Sequence, residues 1–354
     1  SDAVAALMAG NAVVLKPDSA TPFTALAVHS LLRRAGADPD LLQVVTGPGA
    51  ALGESLIDAV DALMFTGSSA TGSAVASRAG ARLIPVSAEL GGKNPLIVRA
   101  DAPVARTVRG AVGACFSNAG QLCVSIERVY VHEAVWDRFV PAFVRATRAL
   151  RVGAAMGWGA DMGPLISPEH LAKVAAHVSD AVAKGATVLT GGRALPELSP
   201  TAYAPTLLTG VTEDMDLHAA ETFGPVACLY RVSGDEEAVR LANASPYGLN
   251  ASVWTADRHA GAELAGRIRA GTVNVNEGYA AAWGSTAAPM GGMGASGLGR
   301  RHGVEGIVKY TQSQTVAVQH LAPLHAPPGA DGERWASGMA AWLRLARHLP
   351  RLDR

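Results

Sequence analysis

One cysteine in this chain, Cys123, directly follows a small polar turn, Ser117-Asn118-Ala119-Gly120-Gln121. Such a turn can hold a side chain at a pocket wall while leaving backbone N–H groups free. A thiol is weakly ionised near neutrality, with a free pKa of about 8.5, so a nucleophilic cysteine needs an electropositive, partly open setting. It also needs a general base if water is to follow it. Glu89 is the candidate base: an apolar run precedes Ser87-Ala88-Glu89-Leu90, and Gly91-Gly92-Lys93 follows, the pattern of a strand end opening onto a cleft. Cys115 and Cys228 lack such surroundings and read as small buried hydrophobes. With no CxxC pair and no Cys/His cluster, the three cysteines give neither a disulfide framework nor a metal site, and they suit a reducing cytoplasm.

Strands and helices must position these two residues, and the first 90 residues alternate between them. Residues 12–15, 41–45, 62–65 and 83–86 are short apolar runs expected to be strands. Between them, Thr21-Pro22 supplies a cap and a first-turn proline for a helix ending near Gly36, a second helix covers about residues 50–58, and a third runs to about Gly80. Repeated β-α units predict a parallel sheet with ligands bound beyond the carboxyl ends of its strands. Gly67-Ser68 is the best anchor for a nucleotide there, because a small residue and a hydroxyl at a helix N-terminus can meet a pyrophosphate through N–H groups and the helix dipole. The cluster Gly47, Gly49 and Gly53 is one residue longer than the usual dinucleotide fingerprint, and both clusters could be plain strand-to-helix turns.

A second α/β unit follows. Arg128-Val129-Tyr130-Val131 reads as a strand, residues 133–150 as helical with an interruption at Pro141, and Ser167-Pro168-Glu169 as the start of a helix that stops near Gly185. Asp235-Glu236-Glu237 places acidic groups at another helix start. Residues 307–319 read as β-rich, and residues 335–349 as a basic amphipathic helix that docks on its own protein more readily than on a membrane surface.

Three motifs in order, Glu89-Leu90-Gly91-Gly92-Lys93-Asn94-Pro95, Asn118-Ala119-Gly120-Gln121-Leu122-Cys123 and Glu221-Thr222-Phe223-Gly224-Pro225, resemble those of the aldehyde dehydrogenase superfamily. The similarity runs from about Ala6 to about Val316. The blocks around Cys123, Tyr279-Ala280-Ala281-Ala282-Trp283-Gly284-Ser285 and Gly297-Leu298-Gly299-Arg300-Arg301 look most like actinobacterial NADP-dependent succinate-semialdehyde dehydrogenases. The fold implied is α/β: an incomplete Rossmann-type, parallel-sheet cofactor domain (residues 1–91), an α/β catalytic domain (92–290), a return to the core with an oligomerisation strand (291–322), and a tail with an amphipathic helix (323–354).

The resemblance implies oxidation of an aldehyde, succinate semialdehyde in that subfamily, through a thioester on Cys123 that Glu89 helps to hydrolyse. It implies Ser68, beside Gly67, at the pyrophosphate, Lys16 at the adenosine ribose, Glu221 at the nicotinamide ribose and Phe223 beside the ring. NAD-preferring members often carry a glutamate where this chain has Ser19; serine does not repel a 2′-phosphate, so NADP is favoured, with NAD possible. Residues 271–285, with their polar and aromatic groups, are the expected substrate-tunnel wall. Better-studied succinate-semialdehyde enzymes place an arginine where this chain has Ser117, leaving Arg128, Ser285, Ser296 or a residue outside the chain to meet the distal carboxylate. Gly294 stands where most relatives have lysine.

The resemblance further implies a homo-oligomer, dimer or tetramer. It also implies that the family's N-terminal segment, with an oxyanion-hole asparagine, is missing here, so an inactive oligomerising or binding protein stays open beside the enzyme. A cysteine esterase or acyl-transferase working without a nucleotide is a third reading. The even balance of 30 basic and 30 acidic residues argues against a nucleic-acid partner, and no apolar run approaches the roughly 18 residues of a membrane span. The chain opens on Ser-Asp, which leaves a leader open.

Overall fold

The structure is a computed structural model that describes residues 2–319 and 325–348. The chain forms two compact units, Ser1–Thr311 and Gln312–Arg354.

The first unit opens with helix α1 (Asp2–Met8) and a parallel pair, β1 (Val13–Leu15) and β2 (Leu42–Val44), joined through α2 (Pro22–Arg34). Gly36, at φ +90°, ends α2 as expected: its N–H bonds the Arg33 carbonyl and the N–H of Ala37 bonds that of Leu32. Helix α3 (Gly49–Asp58) leads to a second parallel pair, β3 (Leu63–Thr66) and β4 (Val86–Glu89), joined through α4 (Ser69–Ala81). The expected single sheet is therefore two separate pieces among the described residues. The strand expected at residues 83–86 begins only at Val86. Leu83 sits at φ +59° and 92% exposed, where it closes α4 with the same bond pattern that Gly36 gives α2 (Leu83 N–H to Gly80, Ile84 N–H to Ala79).

A seven-stranded sheet forms the core of the unit. Its strands are β5 (Asn94–Val98), β6 (Ile126–His132), β7 (Thr187–Thr190), β8 (Thr206–Thr209), β9 (Val226–Val232), β10 (Asn250–Trp254) and β11 (Thr272–Val275), in the order β11-β10-β5-β6-β9-β8-β7. All neighbours are parallel except β7 and β8. Strands buried on both faces read as near-continuous apolar runs; β5, with every residue buried, is Pro-Leu-Ile-Val after Asn94, whose side chain is hydrogen-bonded. Helices α5 (Val104–Phe116) and α6 (Glu133–Arg148) pack on one face through Cys115, Phe116, Val135, Phe139 and Phe143. Pro141 does not divide α6. The bond it cannot donate is outweighed by the burial of Phe139 and Phe143, each worth about 1.5–3 kcal/mol. Helix α7 (Pro168–Ala183) is capped by Ser167, whose Oγ accepts the His170 N–H.

A short strand, β12 (Gly297–Leu298), returns late in the chain to pair antiparallel with β4, setting Gly297 opposite Glu89. Only glycine fits there, since a Cβ would overlap the Ala88 carbonyl.

The β-rich segment expected at residues 307–319 is absent. Glu305–Val308 is a turn of helix, and residues 311–319 take no regular structure, because a strand needs a neighbour's N–H and C=O groups and no described segment offers them. The second unit contains the helix Gly332–Ala346, capped by Asp331, with Trp342, Leu343 and Leu345 exposed. Parts of the proposed tail segments, residues 320–324 and 349–354, lie outside the described residues. No described helix is long and apolar enough to cross a membrane.

Candidate active site

The loop bearing Cys123 connects α5 to β6, at the amino end of the seven-stranded sheet. It turns through three consecutive left-handed residues, Asn118 (φ +52°), Ala119 (+55°) and Gly120 (+70°). Gly120 lies against the Gly224 carbonyl so closely that a Cβ would overlap it. The turn is tied by exchanged side-chain bonds: Asn118 Nδ2 donates to the Gln121 carbonyl and Gln121 Nε2 to the Asn118 carbonyl, both at 3.1 Å. Gln121 Oε1 accepts the Ile166 N–H at 2.9 Å.

Behind the loop, two buried asparagines hold its carbonyls. Asn94 Nδ2 donates to Cys123 O (2.8 Å) and Ser125 O (2.7 Å), and its Oδ1 accepts the Asn250 N–H (3.0 Å). Asn250 Nδ2 donates to Val124 O (3.0 Å). Neither asparagine was singled out from the sequence. Asn94 stood inside a quoted motif, whereas Asn250 carries no local signal.

Cys123 is half-buried against the cluster of Val124, Leu249 and Met290, on which Tyr279 of the expected tunnel wall also packs. Burial pushes the thiol up to about 11, the charges of Glu89 and Glu221 push the same way, and Arg301 and the residue's own N–H oppose them. The thiolate therefore needs a base to form. Cys115 and Cys228 are wholly buried, as expected.

Glu89 ends β4 at 3% exposure, and neither carboxylate oxygen has a partner among the described residues. Burial raises its pKa, against the pull of Arg301.

Glu221 and Phe223 sit on a segment that other elements clamp. Glu221 accepts the Gly92 N–H (2.7 Å) on Oε1, and burial pushes its carboxyl up to about 7. The N–H groups of Thr222 and Phe223 donate to the buried Glu127 carboxylate at 2.9–3.1 Å, and Glu127 is paired in turn with the buried Lys93. From α7, Lys173 donates to the Glu221 carbonyl (2.9 Å), His170 Nε2 to the Phe223 carbonyl (2.6 Å), and His177 Nδ1 meets Thr222 Oγ1 (3.2 Å). Phe223 itself is left-handed at φ +57°.

Breaking a buried pair strands a charge. Lys93→Met is accordingly expected to destabilise the unit by about 3–5 kcal/mol in denaturant unfolding, and Glu127→Gln by less, because its amide still accepts two N–H bonds. Equal, negligible losses would show that the pair carries no structural role.

The remaining candidates lie beyond the carboxyl ends of β1 and β3. Lys16 Nζ donates to Pro17 O (2.6 Å) and Gly47 O (3.3 Å), and Ser19 Oγ donates to the same Gly47 carbonyl (3.1 Å). The neighbouring Asp18 carboxylate is turned to the Ala20 N–H. Ser68 caps α4, accepting the Thr71 N–H (3.2 Å), so what this turn offers a ligand is the helix's N–H groups more than the hydroxyl. The Gly67 N–H bonds the Glu89 carbonyl (3.2 Å), which joins the turn to the base-bearing strand. No bond links the Lys16–Ser19 pair to the Gly67–Ser68 turn among the described residues.

Two residues considered for a distal carboxylate are committed elsewhere. Arg128 is buried and donates to Lys93 O, Tyr130 OH, Leu241 O and Ala242 O. Ser296 is buried and accepts the Gly248 N–H. Ser285 and Ser117 are half-buried and retain accepting capacity.

Cys123 thus lies under the charge of two carboxylates, the buried Glu89 and the half-buried Glu221, beside a parallel α/β core. The family model for the aldehyde dehydrogenase family matches residues 1–316, and the chain belongs to that family. A protein of Mycolicibacterium smegmatis named "Putative succinate-semialdehyde dehydrogenase (NADP(+))" is 52% identical over 350 residues, covering 99% of this chain and 68% of its own length. A succinate semialdehyde dehydrogenase of Acinetobacter baylyi is 36% identical over 87% of this chain and 63% of its own. The crystal structure of succinate-semialdehyde dehydrogenase from Burkholderia pseudomallei superposes with a TM-score of 0.83 at 40% identity, over 87% of this chain and 64% of that one. Betaine aldehyde dehydrogenase from Staphylococcus aureus, in complex with NAD+, gives 0.80 at 31% identity, over 84% of this chain and 60% of that one. The chain thus spans about two thirds of the length of these relatives.

Proposed function

We propose that this chain oxidises succinate semialdehyde to succinate with NADP, with Cys123 as nucleophile and Glu89 as general base. The observation that carries the reading is the half-buried Cys123 thiol under the charge of the half-buried Glu221 and the buried Glu89, the latter with both oxygens unpartnered among the described residues. The names of the relatives supply the substrate and cofactor.

Glu89 removes the thiol proton, and the Cys123 sulfur attacks the aldehyde carbon. The backbone N–H of Cys123 donates to the oxyanion that forms, the type of interaction that strengthens as charge develops. Bound NADP would supply the acceptor for the hydride that the aldehyde carbon gives up, which leaves Cys123 as a thioester, and Glu89 meanwhile passes the thiol proton to solvent. Glu89 then takes a proton from water, which attacks the thioester and releases the acid and the thiolate.

The chain's residues fit the cofactor. Residues 1–91 are assigned to hold it: the α4 N-terminus, with Gly67 and Ser68, faces the pyrophosphate, and Lys16 and Ser19, gathered on one carbonyl, face the 2′-phosphate. Glu221 and Phe223 face the nicotinamide end. Three free cysteines accord with a cytoplasmic protein, and the unpaired stretch at residues 312–318 is the segment assigned to contact a second copy in a homo-oligomer.

The test is NADPH formation by the purified chain with succinate semialdehyde. Turnover with other aldehydes only would move the substrate, and a folded chain inert with all of them would overturn the reading. Within it, Ser19→Glu is expected to lower kcat/KM with NADP by about tenfold relative to NAD, through repulsion of the 2′-phosphate. An unchanged NADP/NAD ratio would remove Ser19 from the cofactor site.

A further inference from the structure

Close to Glu89 lies a second buried group with unmet bonding capacity. The Arg301 guanidinium donates from Nη2 to Thr66 Oγ1 (2.7 Å) and pairs with Asp2, but its Nε–H is buried without a partner among the described residues. Thr66 stands directly opposite Glu89 in the β3–β4 ladder, and β12, three residues before Arg301, flanks Glu89 on the other side. Met290 exchanges two backbone bonds with Arg301 and so fixes where its side chain starts. An unpartnered carboxylate and an unpartnered N–H of a cation thus border the same short sheet, and neither is solvated.

We infer that Arg301 is a positioning residue for Glu89: its guanidinium, anchored on Thr66 and Asp2 at the end of the β3–β4 ladder, is the cation that steadies the buried carboxylate. This rests on the reading of Glu89 as the general base. The other charged groups acting on Glu89 are Asp2 on α1, Lys309 after the Glu305–Val308 helix, and Arg300. Each is already engaged: Lys309 with Asp2 (3.0 Å) and Ser87 Oγ (3.1 Å), Arg300 with the carbonyls of Gly292 and Gly299, and Asp2 also with Tyr310 OH (2.8 Å). Of the three cations, Arg301 is the one with a buried nitrogen that has no partner at all among the described residues. Across the site, Cys123 feels the same guanidinium.

The test uses the full chain and follows Glu89's protonation as an inflection in two pH profiles: kcat/KM, and the rate of Cys123 alkylation by iodoacetamide, which needs no turnover. Arg301→Gln is expected to move the inflection up by about one pH unit, and Arg301→Lys to restore at least half of that shift. Asp2→Asn, which removes the counter-charge and leaves the cation, is expected to move it down. Shifts of opposite sign support the assignment, since general loosening of the site would move both variants the same way. Inflections that stay put, or move together, overturn it. Should Arg301→Gln fail to fold, Arg301→Lys decides: an upward shift smaller than about one pH unit supports the assignment, and an unmoved inflection overturns it. A wild-type chain with no turnover counts against the proposed function, while the alkylation profiles still judge the role of Arg301.

Discussion

Cys123→Ala is expected to reduce NADPH formation by at least about 10⁴-fold, because no other group can form the covalent intermediate that splits the reaction in two. The fold should survive. The thiol is half-buried at a pocket wall, and its loop is held by Asn94, Asn250 and Gln121 acting on neighbouring backbone, not on the sulfur. Cys115→Ala is the matching control: that side chain is wholly enclosed beneath α5, so its loss should lower stability by about 1 kcal/mol and leave turnover intact. If the Cys123 variant kept a tenth of wild-type turnover, the chemistry would have to run through another residue.

Glu89→Gln is the second large effect, with an expected fall in steady-state rate of about 10²- to 10⁴-fold. Mixing the variant with substrate and cofactor should give at most one equivalent of NADPH per chain before it stalls, because the thioester then lacks a base to activate water. In the wild type, burial raises Glu89's pKa, so activity should fall with decreasing pH at a value above the ordinary carboxylate range. The same shift has a stability consequence. Folded Glu89 holds its proton more tightly than it does unfolded, so its contribution is greatest below the unfolded value of about 4.3 and is lost as pH rises through the folded one. At neutral pH the ionised side chain therefore strains the fold. Glu89→Gln should melt higher than wild type at pH 7, with the difference closing as pH falls toward 4. A variant that melts lower at pH 7 would show that the carboxylate has a partner in solution.

The chemistry of this site was legible where it was local. Cys123 and Glu89 stand out because a polar turn and a Gly-Gly pair mark them within a few residues, and both ends of α2 and the start of α7 followed from Pro22, Gly36 and Ser167. What was not legible depends on distant contacts. Leu83 adopts a conformation that sequence reasoning reserves for glycine, so a helix end there looked like a strand. Pro141 continues a helix because of the core beneath it. The Lys93–Glu127 pair and the Asn94–Asn250 brace join segments far apart in sequence and leave no mark in either. Arg128 looked available for a substrate carboxylate until its donors were seen to be taken by backbone carbonyls and Tyr130.

The burial of Cys115 and Cys228 leaves Cys123 as the one cysteine of this chain within reach of solvent. Oxidised by a peroxide to the sulfenic acid, it meets no second thiol with which to close an internal disulfide, the usual refuge before irreversible sulfinic acid. Its recovery then depends on a small thiol reaching the sulfur from solvent, so the partial exposure that leaves the sulfur open to a reactant also leaves it open to further oxidation.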